Sequence, residues 1–494
     1  MLVHMISITK KDLGGGRTMK RFSILLLSLM LIMGGLFVAG CETEEDVAKE
    51  DDEVAEEEKD EKEKDQDETV DEEELDEFME DADFEDGTYR GIFADRGDIH
   101  VGLQFTLEDN KITEISHRHM YYDGIDYLDE DIDETYKGIR DQHKQAVEHL
   151  EGKDVREAVA DLYEPGDFVD DVDSFSGATI YSQKEVSAIV DGLNRGVYRF
   201  REVGGEVPED YSPISEDADF EDGTYRGIFA DRGDIHVGLQ FTLEDNKITE
   251  ISHRHMYYDG IDYLDEDIDE TYKGIRDQHK QAVEHLEGKD VREAVSDLYE
   301  PGNFVDDVDS FSGATIYSQK EVSAIVDGLN RGVYRFREVG GEVPEDYSPI
   351  SEDADFEDGT YRGIFADRGD IHVVLQFTLE DNEITEIGHR YMYYDGVDYL
   401  DEDIDETYKG IRDQHKQAVE HLEGKDVREA VADLYEPGDF VDDVDSFSGA
   451  TIYSQKEVSA IVDGLNRGVY RFREVGGEVP EDYSPLRTRP QTQQ

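Results

Sequence analysis

Apolar and polar positions alternate along two neighbouring stretches, Ile99 to Leu107 and Ile112 to Met120, with Glu108-Asp109-Asn110-Lys111 between them. A period of two turns one face of an extended segment towards a core, so the pair predicts a hairpin. A shorter strand is expected just before it, over Thr88 to Phe93. The spacing then becomes helical. Glu134 to Leu150 carries Ile139, Val147 and Leu150 at helical spacing, and Lys153 to Tyr163 reads as a second helix. Gln183 to Val197 reads as a third, with Val186, Ile189, Val190 and Leu193 on one face. Ser182 and Glu185 match a capping box, with Ser182 as N-cap and Glu185 at N3. The expected class is α+β, an antiparallel sheet with packed helices.

This pattern occurs three times. Phe84-Glu85-Asp86-Gly87-Thr88-Tyr89-Arg90 returns at Phe220 and at Phe356, a period of 136 residues. The first two copies differ at Ala160/Ser296 and Asp167/Asn303. The first and third differ at Gly102/Val374, Lys111/Glu383, Ser116/Gly388, His119/Tyr391 and Ile125/Val397. So long a period suits an independent domain rather than a solenoid repeat. Domains are expected at 84–211, 220–347 and 356–483. The joints, Tyr211 to Asp217 and Tyr347 to Asp353, read as short polar linkers, so the expectation is three beads on a string.

The first 83 residues follow other rules. Lys20-Arg21, an apolar run from Phe22 to Val38 and the end Val38-Ala39-Gly40-Cys41 have the layout of a secretory signal. Residues 1–18 lack that character, so Met19 is the expected start. The last four residues resemble a bacterial lipobox, which implies a signal peptide over 1–41 and lipid on Cys41, the chain's one cysteine. Residues 42–83 hold 26 acidic and 4 basic residues and no apolar period, as expected of a disordered, self-repelling tether. The expected location is therefore the extracytoplasmic face of the cell membrane, held by a lipid anchor.

Composition narrows the function. Lys and Arg number 49 against 126 Asp and Glu, a net charge of −77 that repels phosphate backbones and excludes nucleic-acid partners. Most of it lies on the repeats, roughly −20 each, a density that suits a salt-rich medium. One cysteine excludes a disulfide framework or a Cys-rich metal site. With 37% hydrophobic residues the chain still has material for packed cores.

The third helix is preceded by Asp173-Ser174-Phe175-Ser176-Gly177-Ala178-Thr179. Gly177 and Ala178 remove side-chain bulk just ahead of free backbone N–H groups, so an anion such as a phosphate can approach. Asp-x-x-Ser-Gly-Ala-Thr resembles the flavinylation motif of the FMN-binding domain family. That family includes small flavin subunits of sodium-pumping quinone reductases and flavin lipoproteins of extracellular electron transfer. The Asp-Gly-Thr-Tyr opening and the Asn110 to Ile115 hairpin arm also look like it. The resemblance covers most of each repeat. It implies FMN held by a phosphoester to Thr179, Thr315 and Thr451, installed by a flavin transferase. It places Asp173, Ser176, Gly177 and Ala178 around the first, and Asp309, Ser312, Gly313 and Ala314 around the second. Asp445, Ser448, Gly449 and Ala450 form the third set. The implied role is an electron carrier between a membrane donor and an external acceptor or downstream redox protein, rather than a stand-alone catalyst. A flavin-dependent reductase of an extracellular substrate, and a non-redox acidic surface protein binding cations or a partner, stay open. The membrane helix of the pump subunits and the catalytic domain of appended reductases have no counterpart here.

Weaker signals add little. Asp129-Glu130-Asp131-Ile132-Asp133 opens like a calcium loop, but Glu134 and Arg140 stand where glycine and a bidentate glutamate are needed. No EF-hand and no metal site is assigned; loose cation binding stays open. His117 and His119 are expected to be exposed polar residues. Tyr121, Tyr122 and Tyr181 are candidates to stack on a flavin, though core packing is their commoner role.

Overall fold

The computed structural model describes residues 83–169, 182–200, 206–208, 211–305, 318–335, 347–441, 454–472, 479–480 and 483–486. The leader with Cys41, the tether up to residue 82 and the three motif stretches 170–181, 306–317 and 442–453 lie outside them. In the first repeat β1 (Gly87–Asp95), β2 (Asp98–Glu108), β3 (Lys111–Tyr122) and β4 (Ile125–Asp126) form an antiparallel meander in chain order. Asp109 and Asn110 close the predicted hairpin with φ of 50° and 60°. Positive φ at both central residues is the turn whose twist matches paired strands, and Asp and Asn tolerate it best.

The alternation does its predicted work. Tyr89, Phe93, Leu103, Phe105, Leu107 and Ile112 are buried, and Tyr89 stacks on Phe105 at 5.4 Å. Three helices cover the sheet: α1 (Glu134–Glu148), α2 (Val155–Ala158) and α3 (Gln183–Asn194). Asp133 caps α1 by accepting from the Thr135 N–H at 2.9 Å. The helix expected over 153–163 is instead the single turn α2 followed by a 3-10 turn over Val159–Tyr163. Its buried positions, Val155, Ala158, Val159, Leu162 and Tyr163, keep the expected spacing. α3 ends before Val197 because Gly196 takes φ 75°.

α3 lies directly on β1, and two glycines permit it. A Cβ on Gly91 would stand 1.9 Å from the Ala188 carbonyl oxygen and 2.4 Å from the Gly192 nitrogen. Both are backbone atoms that cannot swing aside. Gly91→Ala is therefore expected to cost about 3 kcal/mol in urea unfolding, the upper end for overpacking; a loss under about 0.5 kcal/mol would contradict this close approach.

The second repeat has β5 (Gly223–Asp231), β6 (Asp234–Glu244), β7 (Lys247–Tyr258), β8 (Ile261–Asp262), α4 (Glu270–Glu284), α5 (Val291–Ala294) and α6 (Gln319–Asn330). The third has β9 (Gly359–Asp367), β10 (Asp370–Glu380), β11 (Glu383–Tyr394), β12 (Val397–Asp398), α7 (Glu406–Glu420), α8 (Val427–Ala430) and α9 (Gln455–Asn466). All belong to one compact unit.

The three repeats are not beads on a string. They close into a ring in which each touches both others. Arg118 of the first repeat binds Asp231 of the second at 2.7 Å, Arg254 binds Asp367 of the third at 2.6 Å, and Arg390 returns to Asp95 of the first at 2.7 Å. Ile92, Ala94 and Ile99 join their counterparts Ile228, Ala230, Ile235, Ile364, Ala366 and Ile371 in a second apolar core that exists only where the repeats meet. The joints are docked rather than loose. Tyr211 and Ile214 are buried, and the Ser212 hydroxyl donates to the Arg292 carbonyl of the next repeat at 2.7 Å. Apolar Tyr and Ile inside a polar stretch made that docking possible. Among the described residues no helix is long and apolar enough to cross a membrane.

Candidate functional site

The expected attachment residues Thr179, Thr315 and Thr451, with their motif neighbours, lie outside the described residues, as does Tyr181. What is described is the helix start on which each motif ends.

The capping box does not form. Ser182 has helical φ and ψ of −69° and −2° and no side-chain cap. Its hydroxyl is buried and donates to the Leu162 carbonyl, tying α3 to the 3-10 turn. Glu185 points into the core with no exposed surface. Its Oε1 accepts from His143 Nδ1 at 2.8 Å and from His117 Nε2 at 3.2 Å. Burial raises the carboxyl pKa, but the two imidazoles outweigh it and hold Glu185 well below the usual carboxylate range. Burial also lowers the His117 pKa, against the pull of Glu185. Glu185 Oε2 and His117 Nδ1 have no hydrogen-bond partner among the described residues, and the same atoms are unpartnered in the other two copies. His117 was expected at the surface and is buried. His119, expected there too, is half-buried and donates to the Ile99 carbonyl at 2.9 Å.

Beside Glu185, Lys184 lies in the first turn of α3. Its ammonium sits 4.1 Å from the centre of the Tyr122 ring and makes no ion pair among the described residues, though Glu185 and Asp95 act on its charge. His100 meets the same ring edge-on at 5.4 Å. Its Nδ1 is buried without a hydrogen-bond partner among the described residues, as are those of His236 and His372. Burial pushes the His100 imidazole down to about 3, and the Lys184 charge adds to the shift. The ammoniums are lowered too, Lys320 and Lys456 to about 8, because burial penalises their charge. Asp95 stands next to this group and is taken by Arg362 at 3.2 Å and Arg390 at 2.7 Å from the third repeat. Each site is thus built at a seam, with cations from two repeats. Tyr122 faces this cluster; Tyr121 stacks instead on His119 at 5.9 Å.

A second cluster lies where the three long C-terminal helices meet. Asp191, Asp327 and Asp463 converge there, close enough to share an ion. Each is already held by two arginines: Asp327, for example, by Arg331 at 3.0 Å and Arg195 at 2.9 Å. Three carboxylates and three guanidiniums alternate in a closed circuit. The acidic loop at Asp129 is spent on turns, with Asp129 accepting from the Asp131 N–H at 2.9 Å.

Sequence reasoning missed Lys184, His100 and the His117–Glu185–His143 group. One signal was available: Glu185 falls on the apolar side of α3, three and four residues before Ala188 and Ile189. The histidines carried no local signal, since they lie 68 and 42 residues away. Comparison with known proteins finds no matching family model, no matching curated protein and no matching solved structure.

Proposed function

We propose that this chain is a lipid-anchored, extracytoplasmic flavoprotein of the FMN-binding domain type. It carries FMN on Thr179, Thr315 and Thr451 and works as an electron carrier between a membrane donor and an external acceptor. The single observation that best supports this reading is the group at the start of α3, directly after the motif. In a chain with 126 acidic residues, Lys184 is a half-buried cation that makes no ion pair among the described residues and lies over a ring instead. Beside it are an aromatic face, Tyr122, and a neutral imidazole, His100, with an unused buried nitrogen. That donor set fits an anionic, aromatic group, because an ammonium held over a ring rather than in an ion pair keeps charge available for an anion.

Bound FMN would supply the redox chemistry, and the protein would hold it and tune it. Lys184 would offset the flavin's negative charge inside an acidic particle. Tyr122 and His100 would present an apolar wall and one hydrogen-bonding nitrogen. The covalent ester would keep the cofactor against repulsion by the acidic surface and against dilution outside the cell. A flavin transferase is the partner this chemistry requires.

The test is a denaturing gel viewed under ultraviolet light, with the protein made in a host that has the transferase. A fluorescent band at the protein's size is expected. Thr179→Ala, Thr315→Ala and Thr451→Ala should each remove roughly one third of it, since each threonine would carry one flavin. A dark band from the unmodified protein in that host would sink the proposal.

A further inference from the structure

We propose that the surface repeated at the three seams is a self-sufficient assembly interface whose partner is another copy of the same repeat. On this view the chain is a homotrimer made continuous, and its covalent joints are dispensable for the ring. The proposal is independent of the flavin reading.

The seam between the third and first repeats carries the argument, because no joint spans it. It nevertheless makes the bonds of the two jointed seams. Arg467 reaches Asp191 at 3.0 Å, as Arg195 reaches Asp327 at 2.9 Å and Arg331 reaches Asp463 at 3.1 Å. The Tyr163 hydroxyl donates to the Val469 carbonyl at 2.6 Å, as Tyr299 does to Val197 at 2.6 Å and Tyr435 to Val333 at 2.7 Å. Tyr470 stacks on Phe93 at 5.3 Å, matching Tyr198 on Phe229 and Tyr334 on Phe365. Asn194, Asn330 and Asn466 each donate to the backbone of the preceding one around the circle.

The chain's tail behaves as the joints do. Tyr483 and Leu486 are buried, and the Ser484 hydroxyl donates to the Arg156 carbonyl of the first repeat at 3.1 Å. Ser212 and Ser348 do the same one repeat on, at 2.7 Å and 2.5 Å. The segment docks whether or not the chain continues into the repeat it docks on. Its side chains hold it, and the covalent link adds only effective concentration.

A contact that joins unlike patches builds either a closed ring or an open filament, according to its rotation. Here the third copy meets the first with every bond made, so three is the closing number. Two of the five substitutions in the third copy fall on this interface. Tyr391 replaces His119 and packs over Gly97 of the first repeat, where His119 and His255 pack over Gly233 and Gly369. Val374 replaces Gly102 and is buried in the apolar core on the axis. The seam without a joint thus has larger apolar contacts than its jointed counterparts. Charge works in the same direction: repeats of like net charge spend Arg90, Arg118 and Arg195 on carboxylates of the neighbour.

The experiment uses the full chain with protease sites inserted between Glu209 and Asp210 and between Glu345 and Asp346. After complete cutting, a denaturing gel should show three fragments. Light scattering at constant ionic strength should show a particle of unchanged mass, also after unfolding and refolding. A fall of the native mass to about one third on cutting would overturn the proposal, since a ring of three would then depend on its joints. Asp95→Arg, set against Arg362 and Arg390 at the seam without a joint, leaves the first repeat held by the second alone, and should make the cut particle dissociate at dilutions where the unsubstituted one stays whole. Glu148→Arg, exposed on α1, should not. Retention of the ring with Asp95→Arg would overturn the assignment of this surface.

Discussion

Between pH 6.5 and pH 5 the ring is expected to lose stability steeply, before its acidic surface begins to titrate. His100, His236 and His372 are one cause, and His117, His119, His253, His255 and His389, also lowered by burial, act in the same direction. Burial pushes the imidazoles of the first three from 6.5 down to about 3, 3 and 4. Below pH 6.5 the unfolded chain therefore binds protons that the folded chain refuses. Stability falls as the pH is lowered wherever the unfolded state holds more protons, so the loss begins near 6.5 and continues to the folded values. Each histidine contributes about 1.4 kcal/mol per pH unit, or on the order of 4 kcal/mol per unit for the three. Glu185, Glu321 and Glu457 act later. Their folded pKa values are depressed, so the stability they add is present above about 4.5 and is lost below it. Relief of charge repulsion as the surface carboxylates protonate works in the opposite direction, but only near and below pH 4.5. The window from 6.5 to 5 isolates the histidines. Thermal or urea midpoints across it should fall, and His236→Gln should reduce the slope by roughly one third of the three-histidine effect. A flat midpoint from pH 7 to pH 5 would show that these imidazoles are not buried as neutral groups.

The second large effect is expected at the axis. Asp327→Leu should destabilise the protein by about 3–5 kcal/mol, the cost of breaking a buried charge network by removing one member. Asp327 accepts from the Ile228 N–H at 2.8 Å and binds Arg331 and Arg195. Without it a buried N–H and two guanidiniums lose a partner together, and the circuit carries an unbalanced positive charge. Asp327→Asn keeps an acceptor for the Ile228 N–H and should cost less. The network itself is a poor source of net stability, since buried ion pairs barely repay their desolvation. Its use is selection. The apolar core of Ile92, Ala94, Ile99 and their counterparts would tolerate sliding, whereas charges that must alternate accept one register. A loss below about 1 kcal/mol for Asp327→Leu would mean that water reaches the axis and screens the circuit.

Much of one repeat was legible in the chain. The hairpin was, because alternation over Ile99–Leu107 and Ile112–Met120 admits one pairing that buries the apolar face. The start of α3 at Gln183 was legible too, but not the reason for it. Ser-x-x-Glu at a helix start reads as a cap when only local contacts are counted. Glu185 instead satisfies two histidines that the sheet and α1 bring from far along the chain, and such pairing carries no period or spacing to read. Lys184 was hidden for the same reason. A lysine in a first helical turn looks solvated until Tyr122 and a neighbouring repeat cover it.

The sequence by itself determined the unit: its α+β class, its central hairpin, its threefold repetition and its acidity. These depend on local periodicity and on identity between copies, both written along the chain. Only the tertiary structure decided how the units combine. Three copies with polar joints are compatible with a flexible string or a closed ring. The choice rests on whether the patch holding Arg118 and Arg195 fits the patch holding Asp95 and Asp191 at a rotation that closes after three steps. Shape and angle of that kind are properties of folded surfaces.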